Sequence, residues 1–321
     1  MLSQLPGDPL MAVLERADGA LGFTGTVVTI PHGHESYNPW AILRRSEPVF
    51  ADVHTAGRVL PKLGDQPGEL LPSVVLVAPG YMGDPVGQLA DRVEAVRECL
   101  VDIVDWARGE GASSVSVLYT SPAATTVLEP VVTELGGSTF PLTSRYTLPV
   151  TWSDWQEYVA GLPEDRRAEP NREIRRLSDS GHTVSCEEVE PVLDEIVAAR
   201  CDHLTWSGQP ADAAGERYRV ASLVDAFGAD LMSFSVRQGS ELLSSGLFLK
   251  HRRTLLRVYT ATTEHGRQTP HAHSAATYYG PTGFVSQELF DVIDYGIGHG
   301  GDKRVQGCEE LPLQGHVIPL R

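Results

Sequence analysis

The chain has 321 residues, 41% of them hydrophobic and 21% charged, and a formal net charge of −16. That composition is globular and sized for one large domain or two ordinary ones. The acidic balance argues against a surface coated for nucleic acid. No apolar run reaches membrane-spanning length, and no basic start followed by an apolar core marks a secretion signal.

In chain order, residues 1–20 read as a short helix or loose lead-in and Gly25–Ile30 as a strand ended by Pro31. Trp40–Arg45 reads as a helical turn and Pro48–Val53 as another strand, followed by a Pro- and Gly-rich loop over 61–72. Ser73–Val77 is a short apolar run of buried-strand type, followed by the glycine-broken turn Pro79–Gly87. Leu89, Val93, Val96, Leu100, Ile103 and Val104 then recur at helical steps, and Ser114–Tyr119 alternates as a strand. Strand, turn, helix and strand make a parallel crossover unit. Free amides at the helix start suit an anion, so Gly80, Tyr81, Met82 and Gly83 are candidate binders there. Thr126 is placed to cap a helix running to Leu135, and Phe140–Val150 returns as a strand.

A boundary is expected near residue 150, dividing the chain into halves 1–150 and 151–321. Ser153 and Gln156 have capping-box spacing. The charged segment 163–181, with five arginines, reads as a solvated helix face. A short strand at Thr183–Cys186 and two helices follow, one marked by Val189–Val197 and one by Tyr218–Phe227. Leu231–Val236, Leu242–Leu249 and Leu255–Ala261 are strands joined by hairpin turns. A polar loop of residues 262–283 follows, then a helix over Phe284–Ile297 and strands at Lys303–Cys308 and Gly315–Leu320. Both halves end in strand, loop, helix and strand, which points to an internal duplication.

That order resembles the GNAT acyltransferase fold. Two such units in one chain resemble the Fem-type aminoacyltransferases and peptidoglycan-biosynthesis-like proteins. The segments carrying the resemblance are NREIRRLSDSGHTVSCEE, SSGLFLKHRRTLLRVYTA and YYGPTGFVSQELFDVIDYGIGHGGDKRVQG. It implies an α/β (α+β) protein of two tandem GNAT-like halves, each a mixed twisted sheet flanked by helices. Members that use acyl-CoA carry an Arg/Gln-x-x-Gly-x-Gly/Ala turn after the central strand. Residues 262–283 lack it, and in the first half Asp84 follows Gly83 where a pyrophosphate would lie. No cofactor is therefore expected. The acidic charge argues against the tRNA partner of Fem-type members.

Two His-x-His pairs, His32/His34 and His271/His273, stand beside prolines without an acid at ligand spacing, so no metal is expected. His271 in the 262–283 segment is the candidate general base, with Tyr279 and Lys303 orienting a substrate. Tyr278 and His273 join them as candidate contacts. Arg257 and Tyr259, two apart on a strand, are expected on one face, where Arg257 could clamp a carboxylate or phosphate. Four scattered cysteines without a C-x-x-C pair read as reduced thiols, consistent with a cytoplasmic location. Three functions stay open. One is transfer of an acyl or aminoacyl group to an amine, in natural-product or cell-wall-type biosynthesis. A second is intramolecular displacement by an amine, as in azinomycin-type aziridine formation. The third is a non-catalytic scaffold for a small protein partner.

Overall fold

The computed structural model describes residues 9–31, 35–44, 66–286 and 288–320. His32, His34 and the strand expected at Pro48–Val53 lie outside them. The fold is mixed α/β, and the chain forms two compact units. The first comprises Met1–Arg145, Ile297–His299 and Glu310–Arg321, and the second Tyr146–Gly296 and Gly300–Glu309. The last strand, which the sequence assigns to the 151–321 half, thus belongs to the first unit.

In the first unit, strands β1 (Pro9–Arg16) and β2 (Gly19–Val28) form a hairpin in place of the helix or lead-in expected over residues 1–20. Leu10, Ala12 and Leu14 pack inward while Met11 and Val13 are exposed, which is strand alternation. The Asp18-Gly19 pair at the reversal was the available signal. A short helix α1 (Pro39–Arg44) follows. Strand β3 (Ser73–Leu76) pairs antiparallel with β2 and parallel with β4 (Ser114–Thr120), across helix α2 (Val93–Gly109). Helix α3 (Pro122–Glu134) is capped by Ser121, whose Oγ accepts from the Ala124 amide at 3.2 Å. Thr126, expected as the cap, instead donates to the Pro122 carbonyl one turn back. Strands β5 (Ser138–Pro149) and β11 (Glu309–Pro319) complete the order β1-β2-β3-β4-β11-β5, with β11 antiparallel to β4. Val74 and Leu76 face the layer of α2 and α3, and Val75 and Val77 the opposite core.

The second unit starts within β5. Helix α4 (Trp155–Gly161) is capped one residue later than expected: Asp154 Oδ1 accepts from the Glu157 amide and Glu157 Oε2 from the Ser153 amide. Helix α5 (Glu169–Asp179) turns Pro170, Ile174 and Leu177 inward and leaves Arg172, Arg175 and Arg176 exposed. Strands β6 (His182–Glu188), β7 (Leu231–Gln238), β8 (Glu241–His251) and β9 (Thr254–Thr262) form an antiparallel meander, interrupted by helices α6 (Leu193–Trp206) and α7 (Ala213–Phe227). β10 (Val292–Ile297) pairs parallel with β9. Within its unit, β9 therefore stands as β3 does in the first, with an antiparallel neighbour before it and a parallel one after.

Three expectations fail here. The segment 262–283 is helical, as α8 (Glu264–Gln268), α9 (Ala272–Ser274), a wide π-helical turn Ala275–Tyr279 and α10 (Gly280–Val285). Its glycines and Pro270 break the period, yet Ala272, Ala275, Ala276, Tyr278 and Tyr279 are buried. Phe284–Ile297 is not one helix: Leu289 of its supposed apolar stripe is 83% exposed, and Ile293 and Tyr295 are buried on a strand. Lys303–Cys308 is not a strand; Lys303 lies in a short helix α11 (Gly300–Arg304).

Candidate functional site

The second unit holds the place where two parallel strands part. β9 and β10 pair over three residues only, Thr254–Leu256 with Val292–Asp294, although β9 runs on to Thr262 and β10 to Ile297. At the parting point β9 carries a bulge. Tyr259 stands opposite Leu247 and Arg257 opposite Phe248, so Val258 is the extra residue. A bulge bends its strand and re-aims its side chains.

This corrects the expectation that Arg257 and Tyr259 share a face. Tyr259 packs among Leu247, Val258 and Ala261 under α6 and α7, with the Arg200 guanidinium 5.0 Å from its ring centre. Arg257 turns to the other face, 5.9 Å from the ring centre of Tyr295, and its charge acts on the Tyr278 phenol. Among the described residues no carboxylate lies within ion-pair distance of Arg257. Burial pushes the Tyr278 phenol up to about 12 against the opposing pull of Arg257, so it remains a protonated donor at neutral pH.

The π-helical turn carries a second group of residues. Tyr279, next to Tyr278, donates to Glu173 Oε2 at 2.6 Å, and His271 Nδ1 lies 3.3 Å from the same oxygen. Burial first, then this bond, raises the Tyr279 pKa, so the phenol keeps its proton and donates it to Glu173 as a hydrogen bond. His271 sits at φ +68°, a left-handed position that aims its ring at α5. A proton on Nδ1 would face Glu173 and leave on Nε2 the lone pair that a general base needs. Long-range proton–nitrogen NMR should find Nδ1 protonated, and Glu173→Gln should mix the tautomers. An unchanged tautomer in that variant would remove Glu173 from the arrangement.

Sequence reasoning named His271 and Tyr279 but missed Glu173, which was absorbed into a solvated face. The signal lay in the Pro170, Ile174 and Leu177 stripe, since position 173 sits one step from 174 and four before 177. His271 and His273 do not converge: His273 Nδ1 is 3.2 Å from Thr262 Oγ1. Among the described residues no group of three His, Cys, Asp or Glu could hold a metal ion.

Lys303, expected to orient a substrate, is instead turned into the protein. It is fully buried, donates to the Gly296 carbonyl at 3.0 Å and lies 5.1 Å from the ring centre of Tyr146. It fastens the end of β10. Lys303→Ala should cost about 3 kcal/mol in a denaturant titration, by cavity formation and an unpaired carbonyl. Wild-type stability in that variant would return Lys303 to the candidate substrate contacts.

The glycine turn of the first unit does not face a helix start. α2 begins at Val93, well past Gly83, with Arg92 at its N-terminal boundary. The turn's amides are spent within the unit. Met82 donates to the Ala78 carbonyl and Gly83 to the Tyr119 carbonyl, while the Gly80 and Tyr81 amides lie near enough to the Tyr37 phenol to act on it. Tyr37 stacks on Tyr81 at 5.4 Å, and Arg145 donates to the Gly80 and Tyr81 carbonyls. Asp84 serves the chain, accepting from the Ser121 amide at 2.7 Å at the start of α3. A Cβ at Gly83 would lie 1.9 Å from the Leu118 carbonyl oxygen, so Gly83 is there for close packing. Gly83→Ala should therefore lower the melting temperature, by about 1–3 kcal/mol of stability. A variant as stable as wild type would reopen the turn as a ligand site.

No protein-family model and no curated protein matches the chain. Solved structures do match. FemX aligns over 96% of this chain and 87% of its own, at 11% identity and a TM-score of 0.59. A tandem GNAT protein from the clavulanic acid biosynthesis pathway aligns over 97% and 83%, at 9% identity and a TM-score of 0.51. The C-terminal domain assigned to a lysylphosphatidylglycerol synthetase of Agrobacterium fabrum aligns over 79% of each chain, at 13% identity and a TM-score of 0.56. The fold is that of the GNAT acyltransferases. Among the described residues no helix is long and apolar enough to cross a membrane.

Proposed function

We propose that the protein transfers an acyl or aminoacyl group to an amine, and that the second unit does the work. The observation that carries this reading is the π-helical turn beside the parted strands. It places Tyr278 by an Arg257 that, among the described residues, has no carboxylate within ion-pair distance, and through Tyr279 and Glu173 it sets a carboxylate against His271. A guanidinium in such a place suits a substrate carboxylate or phosphate. His271 Nε2 takes a proton from the amine as nitrogen attacks the carbonyl carbon. The C–N bond forms, the bond to the leaving group breaks with its electron pair, and the imidazolium returns the proton to that group. The GNAT fold supports the same reading.

The test is mass-spectrometric. Wild type and a His271 variant are incubated with primary amines and a panel of activated donors: aminoacyl esters, charged tRNA, acyl thioesters. A product heavier by the acyl group, formed by wild type alone, is expected. Failure of every donor with folded wild-type protein counts against transfer.

A further inference from the structure

The fold family's usual acyl carrier, coenzyme A, does not fit the end of β9, where acyl-CoA members carry their phosphate turn. We infer, building on the transferase reading, that this chain takes its acyl group from a small donor with one anionic group, received by Arg257, rather than from a coenzyme A thioester.

Three independent features of the second unit carry this. First, the junction offers little to phosphates. Thr263 donates its amide to the Leu243 carbonyl at 3.0 Å, and its hydroxyl takes up the Gly266 amide at 2.9 Å. α8 has only five residues, too few for an aligned dipole to build at its N-terminus. Gly266 is no opening for a ligand either, since a Cβ there would lie 1.9 Å from the Leu243 carbonyl oxygen.

Second, the charge at this strand end has the wrong sign. A groove of about 620 Å³ lies against the junction, and Glu195, Asp202, Glu241 and Glu264 line it. Its one basic lining residue, His265, is held by Glu241 at 3.0 Å. Arg237 is bound to Glu187 and Glu195, and Arg267 NH1 to the Thr262 carbonyl. A pyrophosphate entering here would meet carboxylates instead of cations.

Third, Arg257 and its tyrosines take up the face of β9 at which the strands part. The guanidinium reaches from β9 toward Tyr295 of β10, near enough to Tyr278 for its charge to act on that phenol. A pantetheine arm threading between the strands would have to displace that guanidinium. The same guanidinium is well placed for one compact carboxylate or monophosphate, which a fork of donors reads better than a point charge.

The experiment titrates CoA and acetyl-CoA into the folded full-length chain by calorimetry, at low and moderate salt. No saturable heat is expected from wild type at ligand concentrations on the order of 1 mM. Saturable micromolar binding of acetyl-CoA to wild type overturns the inference. The transferase reading is separable. Acetyl transfer from acetyl-CoA to an amine by wild type would sink the donor assignment and uphold transfer. Transfer from an acyl phosphate, lost on Arg257→Lys at low donor and recovered at high donor, supports both.

Discussion

Replacing His271 by asparagine should lower turnover by about two to four powers of ten without unfolding the protein. Asparagine is the informative substitution because position 271 holds a left-handed backbone, at φ +68°. Asparagine tolerates that conformation, whereas alanine there adds strain of about 1 kcal/mol or more. It also cannot take up a proton at neutral pH. In the wild type, Glu173 Oε2 accepts from Tyr279 Oη and lies 3.3 Å from His271 Nδ1, so the carboxylate faces the imidazole from inside the unit. Tyr279→Phe should act in the same direction but more weakly, since Glu173 would keep one of its two donors. The measurements are turnover on whichever donor the panel identifies, beside circular-dichroism melts. An asparagine variant with full activity would move the base elsewhere.

The meander β7-β8-β9 was legible because apolar runs of strand length are punctuated by Gln238-Gly239 and by the Arg252 reversal, where φ is +53°. The polar density of 262–283 pointed to the site, but its secondary structure was hidden. Ala, Gly and Pro give a helix no apolar stripe even when every Ala is buried. The bulge at Val258 lay beyond any pattern argument. Period-two reasoning puts Arg257 and Tyr259 on one face, and only the register against Leu247 and Phe248 separates them. Lys303 misled for a related reason: a scarce lysine in a polar stretch looks exposed, yet its amine is needed to hold the Gly296 carbonyl. Glu173, the acid set against His271 and Tyr279, is their neighbour in space but lies far from them in sequence.

Stability of the first unit should fall as pH drops from about 6.5 toward about 4, through a single buried histidine. His316 on β11 is fully buried between two threonines: Nε2 lies 2.9 Å from Thr120 Oγ1 and Nδ1 lies 2.9 Å from Thr139 Oγ1. A neutral ring satisfies both, donating through one nitrogen and accepting through the other. Burial alone lowers its pKa, from 6.5 to about 4, with no carboxylate contributing. A depressed histidine pKa means that the unfolded chain binds the proton more readily. Its contribution is therefore complete above the unfolded pKa and is lost as pH falls through the window down to the folded one. The gap corresponds to about 3 kcal/mol at full protonation of the unfolded chain. The other histidines and the carboxylates titrate too, so the difference from a His316→Gln variant isolates this residue. Glutamine retains one donor and one acceptor for the two threonines but does not ionise. Urea midpoints measured between pH 7 and pH 4 should converge for the two proteins as the pH falls, because only wild type loses this contribution. Parallel curves would mean that the folded chain accepts a proton on His316 without penalty.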